Sequence, residues 1–445
     1  MADPTASARP GESTDPARVR PHVAIAVVNL PAERDRRVIR ECLALEQAGY
    51  RVTVICPRGP ARPRQLPGSR DTAIRSFPQP FAGTGVASFA LEFAWSLLCV
   101  GWHLSVLVLR HRLRAAQVCN PPDVFWPLAL LMRALRRPWI YDHHDLSPEL
   151  YACKTDHPRP LVTKILTWFE RMSMRCATEV LSTNESYREI ALTRGGMSPD
   201  RVTVVRNAPA AAELARGAAV SAHTTDADPV AADPGAADPV AADPVAAAEP
   251  RKRIVYVGVI NEQDHVDRAV LAADRLAALR GRLGWEMVIA GDGECLAELR
   301  RLADEHGLAG LVSFTGWLEA PQVDALLRTA TIGIQPDIRS DMTNLSTMAK
   351  TVEYMARGLP VVAVDLLETQ RTAAEAGRYV PTGTAEEFAK AIDDLLDDDT
   401  ALAQMSAIAT ERFATVLAWE HQAEAYLRVW RRLVPVGPAR SKAAA

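Results

Sequence analysis

STMAKTVEYMARGLPVVAVD (Ser346–Asp365) is the stretch whose reading decides the fold. Its first part, TMAKTVEYMARG, reads as a helix and its second part, GLPVVAVD, as a strand; short apolar runs of this kind are buried on both faces of a parallel sheet. The same alternation extends outward in both directions. Before it come RIVYVGVI as a strand, VDRAVLAADRLAAL as a helix and WEMVIAGDG as a strand. CLAELRRLADEHGL then reads as a helix, VSFTG as a short strand, APQVDALLRTA as a helix and IGIQP as a strand. The first half follows the same rule. HVAIAVV (His22–Val28) is a strand, Asp35 to Ala48 a helix ended by Gly49, and RVTVIC a strand, which together form a right-handed parallel crossover. PWIYDHHD, EVLSTN and RVTVVRNA are further strands, the first two ending in polar residues.

Between the halves lies DADPVAADPGAADPVAADPVAAAEP. Its prolines prevent a continuous helix, and Ala and Asp cannot build a core, so the segment reads as an extended linker. The expected fold class is α/β, two Rossmann-like parallel-sheet domains facing across a cleft. The expected boundaries are a tail over 1–20, a first domain over 21–209, the linker over 210–250, a second domain over 251–415, a helix over 416–434 packing back on the first domain, and a tail over 435–445.

Bulk properties agree with a two-domain globular chain. It has 445 residues, 48% hydrophobic and 24% charged. A net charge of −3 gives no global electrostatic case for nucleic acid. Seven cysteines with no CxxC spacing indicate neither a zinc site nor a disulfide framework, and reduced cytosolic thiols fit best. The polar, Pro-rich start lacks the apolar core of a signal peptide.

In doubly wound sheets, ligands bind beyond the carboxyl ends of the strands. In the second domain those ends are Gly258–Asp264, Gly291–Glu294, Thr315–Leu318 and Asp337–Lys350. Lys350 and Glu353 are three apart and share a helix face. Near a helix start a lysine can neutralise a diphosphate, and a carboxylate one turn deeper can accept two hydrogen bonds from vicinal ribose hydroxyls. The competing reading is a surface ion pair between the two.

KTVEYMARGLPVVA resembles the signature of the retaining glycosyltransferases with two facing Rossmann-like domains, the GT-B fold of the sucrose-synthase/mannosyltransferase-like superfamily, bacterial cell-envelope type. DRRVIRECLALEQAGYRVTVICP, NPPDVFWPLALL, YDHHDLSPELY, LSTNESYREIALTRGGMSPDRVTVVRNAP and YVGVINEQDHVDRAV resemble other blocks of it. The resemblance implies transfer of a sugar from a nucleotide-diphosphate donor to an acceptor hydroxyl with retention, the leaving diphosphate helping to deprotonate the acceptor. No metal is expected. The resemblance assigns Glu353 to the donor ribose, Lys350 to the phosphates and Gly258 to close backbone approach by the diphosphate. The segment Phe314, Thr315, Gly316, Trp317 and Leu318 would receive the base, and Gly291 would make a tight turn or touch the donor. His144 would sit near the reacting sugar and phosphate, with Glu353 the second named catalytic group.

Two departures stand out. Superfamily members often carry two glutamates separated by seven residues; the first would fall at Leu345, where Asp341, Thr343, Asn344 and Ser346 are offered instead. The Arg and Lys that often clamp the diphosphate after Gly258 are absent from Asn261–His265, which leaves more of the charge to Lys350, with Arg339 a further candidate.

In the first domain, YDHHD sets His143, His144 and Asp145 at a strand end. Neighbouring strand residues point to opposite faces, so the two histidines do not easily chelate one ion. Asp35, Arg36 and Arg37 start the first long helix and could meet acceptor or phosphate. Glu149, Asn184 and Glu185 are weaker candidates. Phe93–Leu109 is apolar, falls a little short of the roughly 20 residues of a spanning helix, and reads first as a buried helix. Its alternative is insertion at a membrane interface with Arg110, Arg112 and Arg114 on lipid phosphates. The expected partners are therefore a nucleotide-diphosphate sugar, a glycan, lipid-linked or small-molecule acceptor, and a membrane surface through 93–114. The expected location is the cytoplasm or the cytoplasmic face of the membrane. A nucleotide-sugar epimerase or hydrolase of the same fold, and a non-catalytic sugar-nucleotide-binding subunit, remain the alternatives.

Overall fold

The computed structural model describes residues 20–60, 63–81, 86–155, 157–211, 213–214 and 251–436. The expected N-terminal tail, most of the 210–250 linker and most of the 435–445 tail lie outside the described residues.

The first sheet has seven strands: β1 (His22–Ala26), β2 (Arg51–Pro57), β3 (Ala73–Phe77), β4 (Ala115–Cys119), β5 (Trp139–His143), β6 (Glu179–Ser182) and β7 (Val202–Val204), in the order β3-β2-β1-β4-β5-β6-β7. The second has six: β8 (Lys252–Val257), β9 (Trp285–Ala290), β10 (Val312–Gly316), β11 (Ile332–Gln335), β12 (Val361–Val364) and β13 (Gly377–Val380), in the order β10-β9-β8-β11-β12-β13. All five neighbour pairs of the second sheet run parallel, as do β1 with β2 and β4, β2 with β3, and β6 with β7. Both orders reverse direction after the first strand of each set, which is the doubly wound arrangement.

Burial explains the strand composition. In β8, Ile254 and Tyr256 enter one core while Val255 and Val257 pack on the other. In β12, Val362 and Val364 join the first core, and Val361 and Ala363 the second. Alternate side chains leave opposite faces of a strand, and both faces here are covered, so the run must be apolar throughout. Local signals set the helix ends. Asp35 Oδ1 accepts from Arg37 N and Val38 N, both at 3.0 Å, and starts the Arg36–Gln47 helix. Gly49, at φ +91°, follows its end. Thr384 and Glu387 form a capping box on Ala385–Leu396.

Residues up to Ile140, with Leu427 onward, form one compact unit, and Tyr141–Tyr426 forms the other. The last long helix, Trp419–Leu433, begins in the second and ends in the first. At its end Tyr50 Oη donates to Val434 O at 2.8 Å, and the Tyr50 and Trp430 rings lie 6.1 Å apart.

The 93–109 stretch differs from its first reading. The helix is longer, Val86–His111, and it is not a buried helix. Only 22% of its apolar window is buried, and by length and mean hydropathy (1.6) Ser88–His111 is able to cross a membrane. Ser96, Val100, Leu104 and Leu107 face inward, whereas Leu98, Trp102 and Leu109 are exposed.

Tyr50→Phe removes the bond to Val434 while keeping the ring. Chemical denaturation should show a loss of about 1 kcal/mol, and an unchanged midpoint would show that this contact does not hold the C-terminal helix.

Candidate functional site

The order of the second sheet reverses between β8 and β11, and a doubly wound sheet binds its ligand at that point. Gly258 follows β8, and Asp337 follows β11 after Pro336. Lys350, from the helix Ala349–Met355, reaches the same place. Its Nζ lies 3.0 Å from both carboxylate oxygens of Asp337, 3.9 Å from Asp264 Oδ1 and 5.0 Å from the centre of the Tyr256 ring. Lys350 and Asp337 are both buried.

Two glycines make room for this arrangement. A Cβ on Gly258 would stand 2.9 Å from Tyr256 Oη and 3.3 Å from Lys350 Cε. A Cβ on Gly291, at φ +151°, would lie 1.8 Å from the Gly258 carbonyl oxygen, so no side chain fits there. Gly291 N in turn donates to Gly316 O at 3.0 Å, which joins the ends of β9 and β10.

Charge in this cluster is tightly balanced. Burial acts to lower the Lys350 pKa, but Asp337 and then Asp264 outweigh it, and the net shift is upward. The ammonium is therefore the stable form. Asp264 is pushed above the ordinary carboxylate range by burial, against the pull of Lys350 and with the repulsion of Asp337 adding to it. Lys350 is thus already engaged by carboxylates, where a cation available to a diphosphate was expected.

Glu353 lies on the same short helix, one turn on, yet does not pair with Lys350. Its Oε2 accepts from Arg357 Nη1 at 2.5 Å, and Arg357 is held on its other side by Asp324 at 3.0 Å. The surface Lys350–Glu353 ion pair is thereby excluded. Glu353 keeps 19% of its side chain exposed.

The loop before this helix is fastened by residues from the Glu185–Thr193 helix. Asn184 caps that helix by accepting from Tyr187 N at 2.8 Å. Its Nδ2 donates to Leu345 O at 2.9 Å and to Thr347 Oγ1 at 3.2 Å. Tyr187 Oη and Ser346 Oγ are 2.9 Å apart. Ser186 donates to the buried Glu368 Oε1 from its N at 3.0 Å and its Oγ at 2.6 Å, and Arg371 Nη1 joins at 2.7 Å. Asn344 Oδ1 accepts from Leu367 N at 3.0 Å, and Arg339 donates to Asp365 O. Asn344 and Ser346 therefore have structural partners as well as a place beside the Lys350 helix.

The remaining second-domain candidates lie on the rim of the sheet. Thr315 is exposed and its hydroxyl donates to Gly316 O at 2.9 Å. Trp317 is 68% exposed, its indole donating to Glu319 Oε1 at 3.2 Å, and Leu318 is half-buried.

Just past β5, His144 Nε2 lies 2.8 Å from Oδ2 of the fully buried Asp142, with Asp145 half-buried next to it. A carboxylate only accepts, so Nε2 carries a proton. His143 turns the other way. It is buried, its Nε2 3.2 Å from Glu170 Oε1, between the rings of Tyr141 and Tyr187 at 5.4 and 5.1 Å. Glu170 and Glu149 both receive Arg194. Glu149 is thus part of a structural ion-pair network, and Glu185 is exposed near Arg206 at 3.6 Å.

Asp35 and Arg37 are reassigned. Asp35 fills the helix start as its cap, so its carboxylate is engaged by the backbone of Arg37 and Val38. Arg37 is 4% exposed and lies 3.2 Å from Glu41. Arg36 alone of the three is exposed.

Asp142, Asp324, Arg357 and Glu368 escaped the sequence reading as site-building residues. Asp142–His144 at i,i+2 and Glu353–Arg357 at i,i+4 are spacings that could have revealed two of them. Glu368 pairs with residues far away in sequence and leaves no local signal.

Two doubly wound parallel sheets, with a buried lysine at the turning point of the second, define the GT-B class. Residues 251–398 match the family model of group 1 glycosyl transferases, and residues 35–208 match the glycosyl transferase 4-like domain. The chain belongs to the GT-B glycosyltransferase superfamily and is a glycosyltransferase. It is 26% identical over 324 residues to an alpha-D-kanosaminyltransferase of Streptomyces kanamyceticus, covering 70% of this chain and 75% of that one. It is 34% identical over 129 residues to a phosphatidyl-myo-inositol mannosyltransferase of Mycolicibacterium smegmatis, which is 28% of this chain and 32% of the relative. The solved sucrose-phosphate synthase of Thermosynechococcus elongatus superposes with a TM-score of 0.71 at 16% identity, covering 94% of this chain and all of the other.

Glu368→Ala would leave buried donors and Arg371 without their acceptor. Stability should fall by about 3 kcal/mol, read as a lower melting temperature. Glu368→Gln should lose less, because its amide oxygen can still accept from Ser186 N. Equal losses for the two variants would show that the negative charge on Glu368, and not its volume or a single accepting oxygen, is what this network requires.

Proposed function

We propose that the protein moves a sugar from a nucleotide-diphosphate donor to an acceptor hydroxyl with retention of configuration, in cell-envelope or exopolysaccharide synthesis. The observation that carries this reading is the lysine at the turning point of the second sheet, beside a backbone stripped of side chains at Gly258 and Gly291. An ammonium and bare backbone are what a diphosphate needs. Lys350 and Gly258 take the phosphates, Glu353 the ribose hydroxyls, and Thr315, Gly316, Trp317 and Leu318 the base. Asn344 and Ser346 stand where the first glutamate of the superfamily pattern is missing and take the donor sugar.

The reaction needs positioning and charge stabilisation more than a strong base. The leaving diphosphate takes up the acceptor proton. His144, oriented by Asp142 at 2.8 Å, hydrogen-bonds the reacting sugar near that point. The acceptor is a glycan, a lipid-linked molecule or a small molecule. The name of one relative, a phosphatidyl-myo-inositol mannosyltransferase, supports the lipid-linked kind. The location proposed with this reading is the cytoplasmic face of the membrane, with surface contact through 93–114.

A thermal-shift screen of nucleoside diphosphates and their sugar conjugates should find a ligand that raises the melting temperature, because a ligand of the folded form stabilises it. Glu353→Ala should abolish that shift. If Glu353→Ala keeps the full shift, the ribose assignment is wrong. Donor turnover without acceptor would favour an epimerase or hydrolase.

The acidic neighbours of Lys350 set a pH dependence. Asp264 has a raised pKa. Its protonation as pH falls removes a negative charge from beside the diphosphate, so donor affinity should rise as pH is lowered. Asp264→Asn should tighten donor binding about fivefold at neutral pH and flatten this dependence. Weaker binding by the Asn variant would mean that the carboxylate contacts the donor directly.

A further inference from the structure

We propose that the Val86–His111 and Trp126–Ala134 helices form one face that docks flat on an anionic lipid bilayer. The proposal deepens the membrane contact contained in the functional reading and rests on that part of it alone. The first helix has two unlike sides. Ser96, Val100, Leu104 and Leu107 are buried at 4% exposure or less, whereas Leu91, Leu98, Trp102 and Leu109 are 55%, 67%, 69% and 82% exposed. Those spacings put the exposed four on one stripe. A solvent face of a surface helix is ordinarily polar; a contiguous apolar one marks an interaction site.

The second helix continues the patch. Leu128 Cδ2 would lie 3.3 Å from a Cβ on Gly101, so the helices touch at that glycine. Beyond the contact, Leu130, Leu131 and Leu135 are 41%, 50% and 46% exposed.

Charge selects the occupant. From Val86 to Trp139 the chain carries Arg110, Arg112, Arg114, Arg133, Arg136 and Arg137 against two acidic residues: Glu92, which is half-buried and accepts from Gln79 Nε2 at 2.7 Å, and Asp123, which is buried. Apolar side chains rimmed by arginines suit acyl chains beneath anionic headgroups, where each basic residue near the surface contributes about tenfold or less. The helix lies on the membrane and does not span it. Its buried stripe belongs to the fold, and just past its end Arg114 N donates to His22 O of β1 at 2.7 Å. Spanning would strip that side from the sheet.

The test is co-sedimentation of the full chain with phosphatidylcholine vesicles, with and without phosphatidylglycerol. Binding is expected only with the anionic lipid and should weaken at high salt. The double variant Leu98→Glu/Trp102→Glu should abolish it, and the triple variant Arg110→Ser/Arg112→Ser/Arg114→Ser should weaken it at least about tenfold. Circular dichroism and transfer to a soluble acceptor should stay at the parent level in both. Failure of the parent chain to sediment, or undiminished binding by Leu98→Glu/Trp102→Glu, overturns the proposal without touching the transferase reading. A concentration-dependent dimer that this double variant dissolves also overturns it, since a second copy would then cover the face. Absence of transfer by the parent chain, with its vesicle binding intact, counts against the transferase reading alone.

Discussion

An ammonium buried between two carboxylates organises the second domain. Taking a lysine out of water costs several kcal/mol unless it is paired, and removing one partner of a buried pair costs about 3–5 kcal/mol. Those magnitudes exceed the roughly 1 kcal/mol of an ordinary hydrogen bond. Lys350 therefore stays where Asp337 holds it, and its surroundings must conform. Tyr256 lies under the ammonium, and Gly258 is a glycine because a Cβ would press on both. Gly291 then approaches the Gly258 carbonyl in a backbone conformation that other residues rarely adopt. The site is built from the charge outward.

A second polar assembly does related work some distance along the chain. Asn184, Ser186 and Glu368 are buried; Asn184 is occupied by Tyr187 N and the loop over 345–347, and Ser186 and Glu368 by each other and by Arg371. Polar groups in such a place tolerate few alternatives, because any rearrangement leaves a donor or acceptor without a partner. An apolar contact could slide; this one fixes the path of the chain into the Lys350 helix. Similar reasoning separates the two adjacent histidines. His143 is committed to Glu170 inside the fold, and His144, steered by Asp142, remains at the strand end where chemistry is proposed.

Much of the fold was legible because parallel strands buried on both faces announce themselves as apolar runs, as in IVYV and PVVAV. β4 was not. It reads AAQVC, and its Gln117 is buried because Glu41, from a distant helix, accepts its amide at 2.7 Å. No periodicity records such a partner. β13, half-exposed at a sheet edge, was missed for the opposite reason. At the site, residue types and positions were readable, but pairing was not: Lys350 meets Asp337 across a strand end, thirteen positions away in sequence. The apolar character of the Val86–His111 helix was plain, whereas which side faced water depended on a sheet the periodicity does not describe.

The grip on Leu345 has a consequence for how this position can change over time. Asn184 holds the main-chain oxygen at 345 and never touches the side chain through that bond. Every amino acid offers the same oxygen. Drift at 345 from an acid to leucine is therefore invisible to the fastening, while Asn184, whose amide does the holding, has no such freedom. Either side chain can stand at 345 without loosening the path of the chain into the Lys350 helix.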